Sequence, residues 1–145
     1  MDNDHSVIVV GVDGSAAAER AMDWALEEAR THGDEVLLVH AWQYPMVAKP
    51  WPGLRGADLE LVAGQALDAV THEARKRAPD VRIDSRLVEG YPSKVLIDAS
   101  SAARLLVVGS RGLGGFKGLL LGSVSSACAH GARCPLVIIP NPSTA

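Results

Sequence analysis

The sequence contains few cysteines, few aromatic residues, no excess of positive charge and no long apolar run. Only two of its 145 residues are cysteines, and 4% are aromatic. Cys128 and Cys134 are too few for a disulfide framework and lack the spacing of a zinc site, so we expect reduced thiols that belong to the core. Because 14 Lys and Arg are outnumbered by 17 Asp and Glu, the net charge of −3 argues against binding nucleic acid through overall charge.

The apolar runs are much shorter than the ~20 residues that a membrane-spanning helix needs. The first residues are acidic and lead directly into Val7, without the basic and apolar regions of a secretory signal. We therefore expect a cytoplasmic protein whose partners include neither a membrane nor nucleic acid. The composition, 48% hydrophobic and 21% charged, is that of a globular protein, and the length fits one domain spanning residues 1–145.

Short β-branched runs alternate along the chain with segments of helical period. Ser15 is a potential N-cap of the first helical segment, and Gly33 is a stop signal after it. The pattern predicts strands over residues 6–12, 35–41, 81–88, 104–109 and 136–139, and helices over residues 15–31, 57–78, 93–101 and 123–131. In the second helix we expect one apolar face formed by Leu59, Val62, Ala66, Leu67, Val70 and Ala74.

The order of the segments predicts a fold and the place of a site. Strands that are apolar throughout are buried on both faces, as in a parallel sheet covered by helices. With right-handed crossovers, we expect a single-domain α/β fold with a five-stranded parallel sheet of order 3-2-1-4-5 and helices on both faces. Ligands of such sheets bind where the winding direction reverses, beyond the carboxyl ends of the strands. That point brings Asp13, after strand 1, opposite the residues that begin at Gly109, after strand 4.

The segment between the fourth strand and the last helix is rich in glycine. Glycine lets the backbone approach a ligand closely, and the helix that begins near Ser123 offers unpaired N–H groups and the positive end of its dipole. Together these features predict a phosphate site, to which Arg111 and Lys117 add charge and the hydroxyls of Ser123 and Ser125 add donors. The glycines of this segment are Gly109, Gly112, Gly114, Gly115, Gly118 and Gly122.

Two common phosphate motifs are excluded. The turn at Gly122-Ser123-Val124 lacks the lysine of a P-loop, and the turn after the first strand, residues 11–15, does not match the dinucleotide fingerprint G-x-G-x-x-G. A flexible connection without a ligand is the alternative interpretation of the glycines.

The spacing of Gly109, Gly112 and the pair Gly122-Ser123, with two and then nine residues between them, resembles the nucleotide-binding signature of the universal stress protein family. Residues 8–15, 37–41, 89–92 and 134–140 resemble that family as well, so the resemblance covers nearly the whole chain. It implies a Rossmann-like fold of the HUP type that binds ATP without strong catalysis, with Mg²⁺ carried by the phosphates.

The resemblance also implies roles for individual residues. Asp13 would face the adenosine end of the nucleotide, Ala41 would offer its backbone to the adenine, and residues 122–125 would hold phosphates. Gly109 and Gly112 would lie along the ribose and phosphates. The complete expected site is Gly11, Val12, Asp13, Ala41, Gly109, Ser110, Arg111, Gly112, Gly122, Ser123, Val124 and Ser125.

The implied function is a nucleotide-dependent regulator or sensor in the stress response, with an unidentified protein partner. The alternative is a weak ATPase or an autophosphorylating phosphotransferase, with Ser123 or Ser125 as acceptor, although no convincing general base is found near the phosphates and the five histidines lack metal spacing. A phospho-acceptor receiver domain, which also places an acid after its first strand, lacks its C-terminal lysine here. The long connection over residues 42–56 is either a cover of the site or a variable surface loop.

The last strand, Leu136–Ile139, is wholly apolar and should form one edge of the sheet. Exposed apolar edges favour pairing with another chain unless they are blunted or covered. Here the flanking Pro135 and Pro140 are the only residues that blunt the edge. We therefore expect a homodimer through the last strand, and the family resemblance implies the same.

Overall fold

The computed structural model describes residues 6–44, 55–111 and 121–141. The described strands form one parallel sheet of order β3-β2-β1-β4-β5, so the predicted topology is confirmed. The elements in chain order are β1 (Val7–Gly11), α1 (Ala16–His32), β2 (Glu35–Trp42), α2 (Gly56–Arg77), β3 (Ile83–Glu89), α3 (Pro92–Ser100), β4 (Leu105–Gly109), α4 (Ser123–Gly131) and β5 (Leu136–Ile139).

The core consists of two apolar layers, one on each face of the sheet. The first layer joins α1 and α2 to the sheet and includes the fully buried Ile8, Met22 and Leu38. The second joins α3 and α4 to the other face around Leu106 and Cys128, which are also fully buried. Since β1 and β4 contribute side chains to both layers, their apolar runs are explained by burial on two faces.

The ends of α1 follow the signals in the sequence. The Oγ of Ser15 accepts a hydrogen bond from the Ala18 amide at 3.1 Å, which caps the first turn. At the other end, Gly33 has a φ of 73°, and its amide donates to the Ala29 carbonyl at 2.8 Å. Both predicted ends of this helix are thus confirmed, and its buried residues are Ala17, Ala18, Ala21, Met22, Ala25, Leu26 and Ala29.

The predicted face of α2 was wrong at Val62, which is 64% exposed, and at Ala66, which is also exposed. The buried face consists of Ala63, Leu67, Thr71 and Ala74, so the prediction is confirmed at Leu67 and Ala74. Thr71 is accommodated there because its hydroxyl donates to the Leu67 carbonyl at 2.7 Å, which satisfies the one polar group that burial would otherwise penalise. Because Thr71 is polar, a count of apolar residues alone does not identify the buried face of α2.

An ion pair lies at the amino ends of the strands. Arg104, just before β4, donates from Nη2 to the Oδ2 of the buried Asp34 at 2.6 Å and contacts Glu28 at 3.4 Å. The pair fixes the turn between α1 and β2 to the start of β4. In the described residues, no helix is both long and apolar enough to cross a bilayer.

Candidate functional site

A cavity of about 270 Å³ opens at the carboxyl ends of the strands, where β1 pairs with β2 on one side and β4 on the other. This is the predicted point at which the winding direction reverses. Of the predicted site residues, the cavity brings together Gly11, Val12, Asp13, Ala41, Gly109, Arg111, Gly122, Ser123, Val124 and Ser125. Ser110 lies behind the cavity, and Gly112 falls outside the described residues.

The apolar part of the cavity wall was not predicted from the sequence. Val39, Leu96 and Val108 line the cavity, together with Pro92 at the first position of α3. Leu96 extends towards the end of β1, where a Cβ on Gly11 would lie 2.7 Å from its Cδ1. The glycine therefore makes room for a wall residue. The segment 89–92, which includes Pro92, was noted for its family resemblance, and no spacing in the sequence indicated that Leu96 contacts the end of β1.

The first turn of α4 presents main-chain amides at the cavity. Gly122 is the N-cap of this helix and supplies no side-chain hydrogen bond, and the first turn carries no acidic residue. The first intrahelical bond runs from the Ser126 amide to the Gly122 carbonyl at 3.0 Å. The amides of Ser123, Val124 and Ser125 precede that bond and have no acceptor within the helix.

Ser110 holds the two ends of the glycine-rich loop together. Its carbonyl accepts from the Gly122 amide at 2.7 Å and from the Oγ of Ser125 at 2.7 Å. Its own amide donates to the Ile139 carbonyl at 2.8 Å, which ties the same point to β5. Ser125 is 2% exposed, and its hydroxyl is directed at the protein, whereas the sequence analysis treated that hydroxyl as a donor to phosphate.

Gly109 is required by packing between β4 and α1. A Cβ at this position would lie 2.7 Å from the Cβ of Ala17 and 2.8 Å from its carbonyl carbon. Such a contact with backbone cannot be relieved by rotating a side chain. The glycine therefore lets the start of α1 approach the end of β4, a role that the sequence analysis did not consider.

Asp13 follows β1 in a turn that is fixed by hydrogen bonds. Its Oδ1 accepts from the Ser15 amide at 2.9 Å, and Gly14 has a φ of +84°, a value that favours glycine. The preceding Val12 carbonyl lies 2.7 Å from the Nδ1 of His40. The turn thus has a defined shape before any ligand is considered.

The two cysteines belong to the core, as expected. Cys128 is fully buried, and this burial raises the pKa of its thiol to about 11. Burial also raises the pKa of Cys134. Both thiols therefore remain protonated near neutral pH, which is unsuited to a nucleophile. Within the described ranges, no group of three His, Cys, Asp or Glu side chains could hold a metal ion.

Several sequence predictions lie outside the described residues. These are Gly112, Gly114, Gly115, Lys117 and Gly118, together with residues 45–54 of the long connection after β2.

The fold and the cavity define a class, the parallel α/β domains with a ligand site at the reversal point of the sheet. The universal stress protein family model matches residues 5–140. The chain is 39% identical over 137 residues to the universal stress protein Rv2005c of Mycobacterium tuberculosis, covering 94% of this chain and 46% of that relative. The chain thus spans about half the length of the curated relatives it matches.

Solved structures of universal stress proteins have a similar fold. A universal stress protein in complex with cAMP has 29% identity and a TM-score of 0.71, covering 93% of this chain and 97% of the other. A universal stress protein from Archaeoglobus fulgidus in complex with dAMP has 25% identity and a TM-score of 0.69, with 93% and 97% covered. The chain belongs to the universal stress protein family.

Proposed function

We propose that this protein binds ATP in the cavity between β1 and β4 and acts as a nucleotide-dependent regulator in the stress response. The proposal rests on one observation. The first turn of α4, whose Ser123, Val124 and Ser125 amides have no acceptor within the helix, lines the same cavity as the loop that follows β1. The ligands of the two similar structures, cAMP and dAMP, are both adenine nucleotides. A protein that responds to ATP needs access to the cellular pool, so the proposed compartment is the cytoplasm.

The phosphates are proposed to lie against the first turn of α4. Its amides and its helix dipole favour an anion, and no acidic residue in that turn opposes one. Gly122 leaves the approach free of a side chain, and Arg111 adds a positive charge at the same wall. Because the Ser125 hydroxyl is bonded to Ser110, we assign phosphate contact at this position to the main chain. ATP would supply its own Mg²⁺, held through the phosphates.

The adenosine is proposed to lie between the ends of β1 and β2. Val39, Leu96 and Val108 provide an apolar wall for a base, and Ala41 can offer main-chain groups to it. Asp13 lies on the same side of the cavity and is suited to accept from ribose hydroxyls. Gly109 and the other described residues of the predicted site complete the wall, and Ser110 connects the two ends of the loop through its hydrogen bonds.

The first test identifies the nucleotide. Freshly purified protein is denatured, and any released nucleotide is identified by chromatography. The emptied protein is then titrated calorimetrically with ATP and Mg²⁺. We expect ATP to be recovered or to bind in a one-to-one complex. Absence of both a released nucleotide and a heat of binding at millimolar ATP would contradict the proposal.

A turnover assay separates regulation from catalysis. ATP that remains intact over hours in the complex supports a regulator or sensor. Steady release of ADP, or incorporation of the γ-phosphate into Ser123, would instead favour the weak ATPase or the autophosphorylating enzyme. The variant Gly122→Glu, in which the proposed phosphate site is lost, serves as a control, because activity that survives in it comes from a contaminant.

The proposed assembly is a homodimer through β5. Among the strands that the structure describes, β5 pairs with β4 alone. The carbonyls of Pro135 and Ile139 accept from β4 and the residue after it, so the alternating main-chain groups of Leu136 and Ile138 point away from the sheet. These groups are available to a second copy of the strand.

Ile138→Pro tests this interface, because it removes only an outward-facing N–H, which an edge strand tolerates. We expect a monomer by sedimentation, with helix content retained by circular dichroism. The matched variant Val137→Pro removes an inward-facing N–H and should destabilise the fold instead. A folded Ile138→Pro protein that remains a dimer would reject the interface.

A further inference from the structure

His40 lies near the end of β2 and is not among the residues that line the main cavity. Its Nδ1 lies 2.7 Å from the Val12 carbonyl oxygen. A carbonyl can only accept, so this contact requires the proton on Nδ1. The bond therefore connects an imidazole outside the cavity to the peptide that immediately precedes Asp13.

Both main-chain polar groups of Val12 form hydrogen bonds. Its amide donates to the Val39 carbonyl at 2.9 Å, and its carbonyl accepts from His40. Because a trans peptide is planar, a carbonyl directed at His40 directs the Asp13 amide to the opposite side. The imidazole thus sets the orientation of the peptide from which the Asp13 side chain projects.

Packing alone does not hold the imidazole in place. A second cavity of about 70 Å³ adjoins the ring and is lined by His40 itself, the turn after β1 and α2, including Asp13, Leu67 and Val70. The ring is only partly buried. The hydrogen bond to the Val12 carbonyl is consequently the specific contact that fixes the position of the ring relative to the turn after β1.

We propose that His40 is a positioning residue for the adenosine end of the nucleotide. It acts through the Val12–Asp13 peptide and makes no contact with the ligand itself. The inference rests on the proposed function, because it assigns a second residue to the same ATP site. Loss of the Nδ1 donor would release the Val12 carbonyl and let Asp13 adopt orientations that do not suit the ribose.

The first experiment needs no nucleotide. A long-range ¹H–¹⁵N spectrum of the unliganded full chain at pH 8 distinguishes the two neutral tautomers of His40. We expect the Nδ1–H tautomer, with its proton protected from exchange. The Nε2–H tautomer would overturn the proposal, because a deprotonated Nδ1 cannot donate to Val12.

The second experiment measures ATP affinity in variants. His40→Leu removes the donor and should weaken binding about 5- to 20-fold, the usual consequence of losing a hydrogen bond to a partly buried carbonyl. His40→Asn places an amide donor near the position of Nδ1 and should restore affinity to within about threefold of wild type. Circular dichroism establishes that each variant is folded.

A double-mutant cycle identifies the route of the effect. In an Asp13→Ala background, His40→Leu should weaken ATP binding less than about twofold, since the residue it positions is gone. An equal loss in both backgrounds, no loss in His40→Leu, or no rescue by asparagine would each overturn the positioning role. Failure of the wild-type chain to bind ATP would instead overturn the proposed function, and this inference with it.

Discussion

α1 and α4 both begin at the carboxyl edge of the sheet beside the same cavity, but their first turns differ. In α1, the Ser15 hydroxyl accepts from the Ala18 amide, and Glu19 places a negative charge in the first turn. In α4, Gly122 supplies no cap within the described chain, and the first turn has no acid. In α1 the cap side chain accepts from one of the first amides, whereas in α4 no side chain of the N-cap does so and the amides face the cavity.

The difference separates the contacts that stabilise a helix N-terminus from the main-chain amides that a ligand can bind. Capping and an acid near a helix N-terminus each stabilise a helix by about 0.5–1 kcal/mol. α4 lacks both contributions at the point where the proposed phosphates lie. It is held instead from behind, through Ser110 and the buried Ser125 hydroxyl. The structure therefore stabilises the start of α4 without covering its amides.

Gly122→Glu should have the largest effect on ATP binding. A carboxylate at the N-cap occupies the proposed phosphate position and repels the ligand, so we expect affinity to fall at least about 100-fold. Gly122 has a φ of −79°, which any residue adopts, so the fold should persist. Affinity is measured by calorimetry and folding by thermal denaturation.

Gly64→Glu is the matched control. It makes the same change within α2, where an added Cβ meets only ordinary contact with Leu87. Its affinity for ATP should equal that of the wild type. Equal losses in both variants would show that added negative charge, and not the position of Gly122, weakens binding.

Ser125→Ala should have an intermediate effect. It removes one of the two donors to the Ser110 carbonyl, so we expect a loss of stability of about 1–2 kcal/mol and weaker ATP binding by about 5- to 10-fold. Hydrogen exchange of the unliganded protein should show faster exchange at the Gly122 amide. Ser125→Thr keeps the hydroxyl and should restore both properties. Unchanged exchange in Ser125→Ala would contradict a role in closing the loop.

Ser15→Ala should affect stability more than binding. Loss of the N-cap of α1 costs about 1 kcal/mol in the free energy of unfolding, measured by urea denaturation. ATP affinity should fall by less than about threefold, because α1 provides no amides for the phosphates. A larger loss of affinity than in Ser125→Ala would remove the proposed distinction between the two helices.

At Cys128, the buried thiol that packs α4 on the sheet, the expected effect is on stability at high pH and not on ATP binding. Its pKa is raised by burial to about 11 from 9.0, so the folded state binds the proton more tightly than the unfolded state. This contribution to stability is complete below pH 9 and is lost as the pH rises from 9 towards 11. We expect Cys128→Ser to show a smaller decrease of stability over that interval than the wild type, measured by urea denaturation. An identical pH profile would contradict burial of the thiol.

The sequence was sufficient to predict the topology because its signals are local. Alternating apolar runs, the Ser15 cap and the Gly33 stop depend on residues close together in the chain, and the reversal point follows from strand order. The face of α2 was predicted wrongly at Val62 because a buried threonine with a satisfied hydroxyl counts as polar.

The features that the sequence did not reveal depend on contacts between distant residues. Gly109 is constrained by Ala17, Ser125 bonds to Ser110, and His40 bonds to Val12. Each pair unites segments that are far apart in sequence or separated by a loop, so no spacing or period reveals it. The sequence therefore located the cavity but not the contacts that shape its wall.

The proposed position of ATP can be tested by a crystal structure of the full chain with ATP and Mg²⁺. We expect phosphate oxygens within ~3 Å of the Ser123, Val124 or Ser125 amides, and adenosine between the ends of β1 and β2. ATP bound elsewhere, or with its phosphates directed away from α4 into solvent, would contradict the proposal.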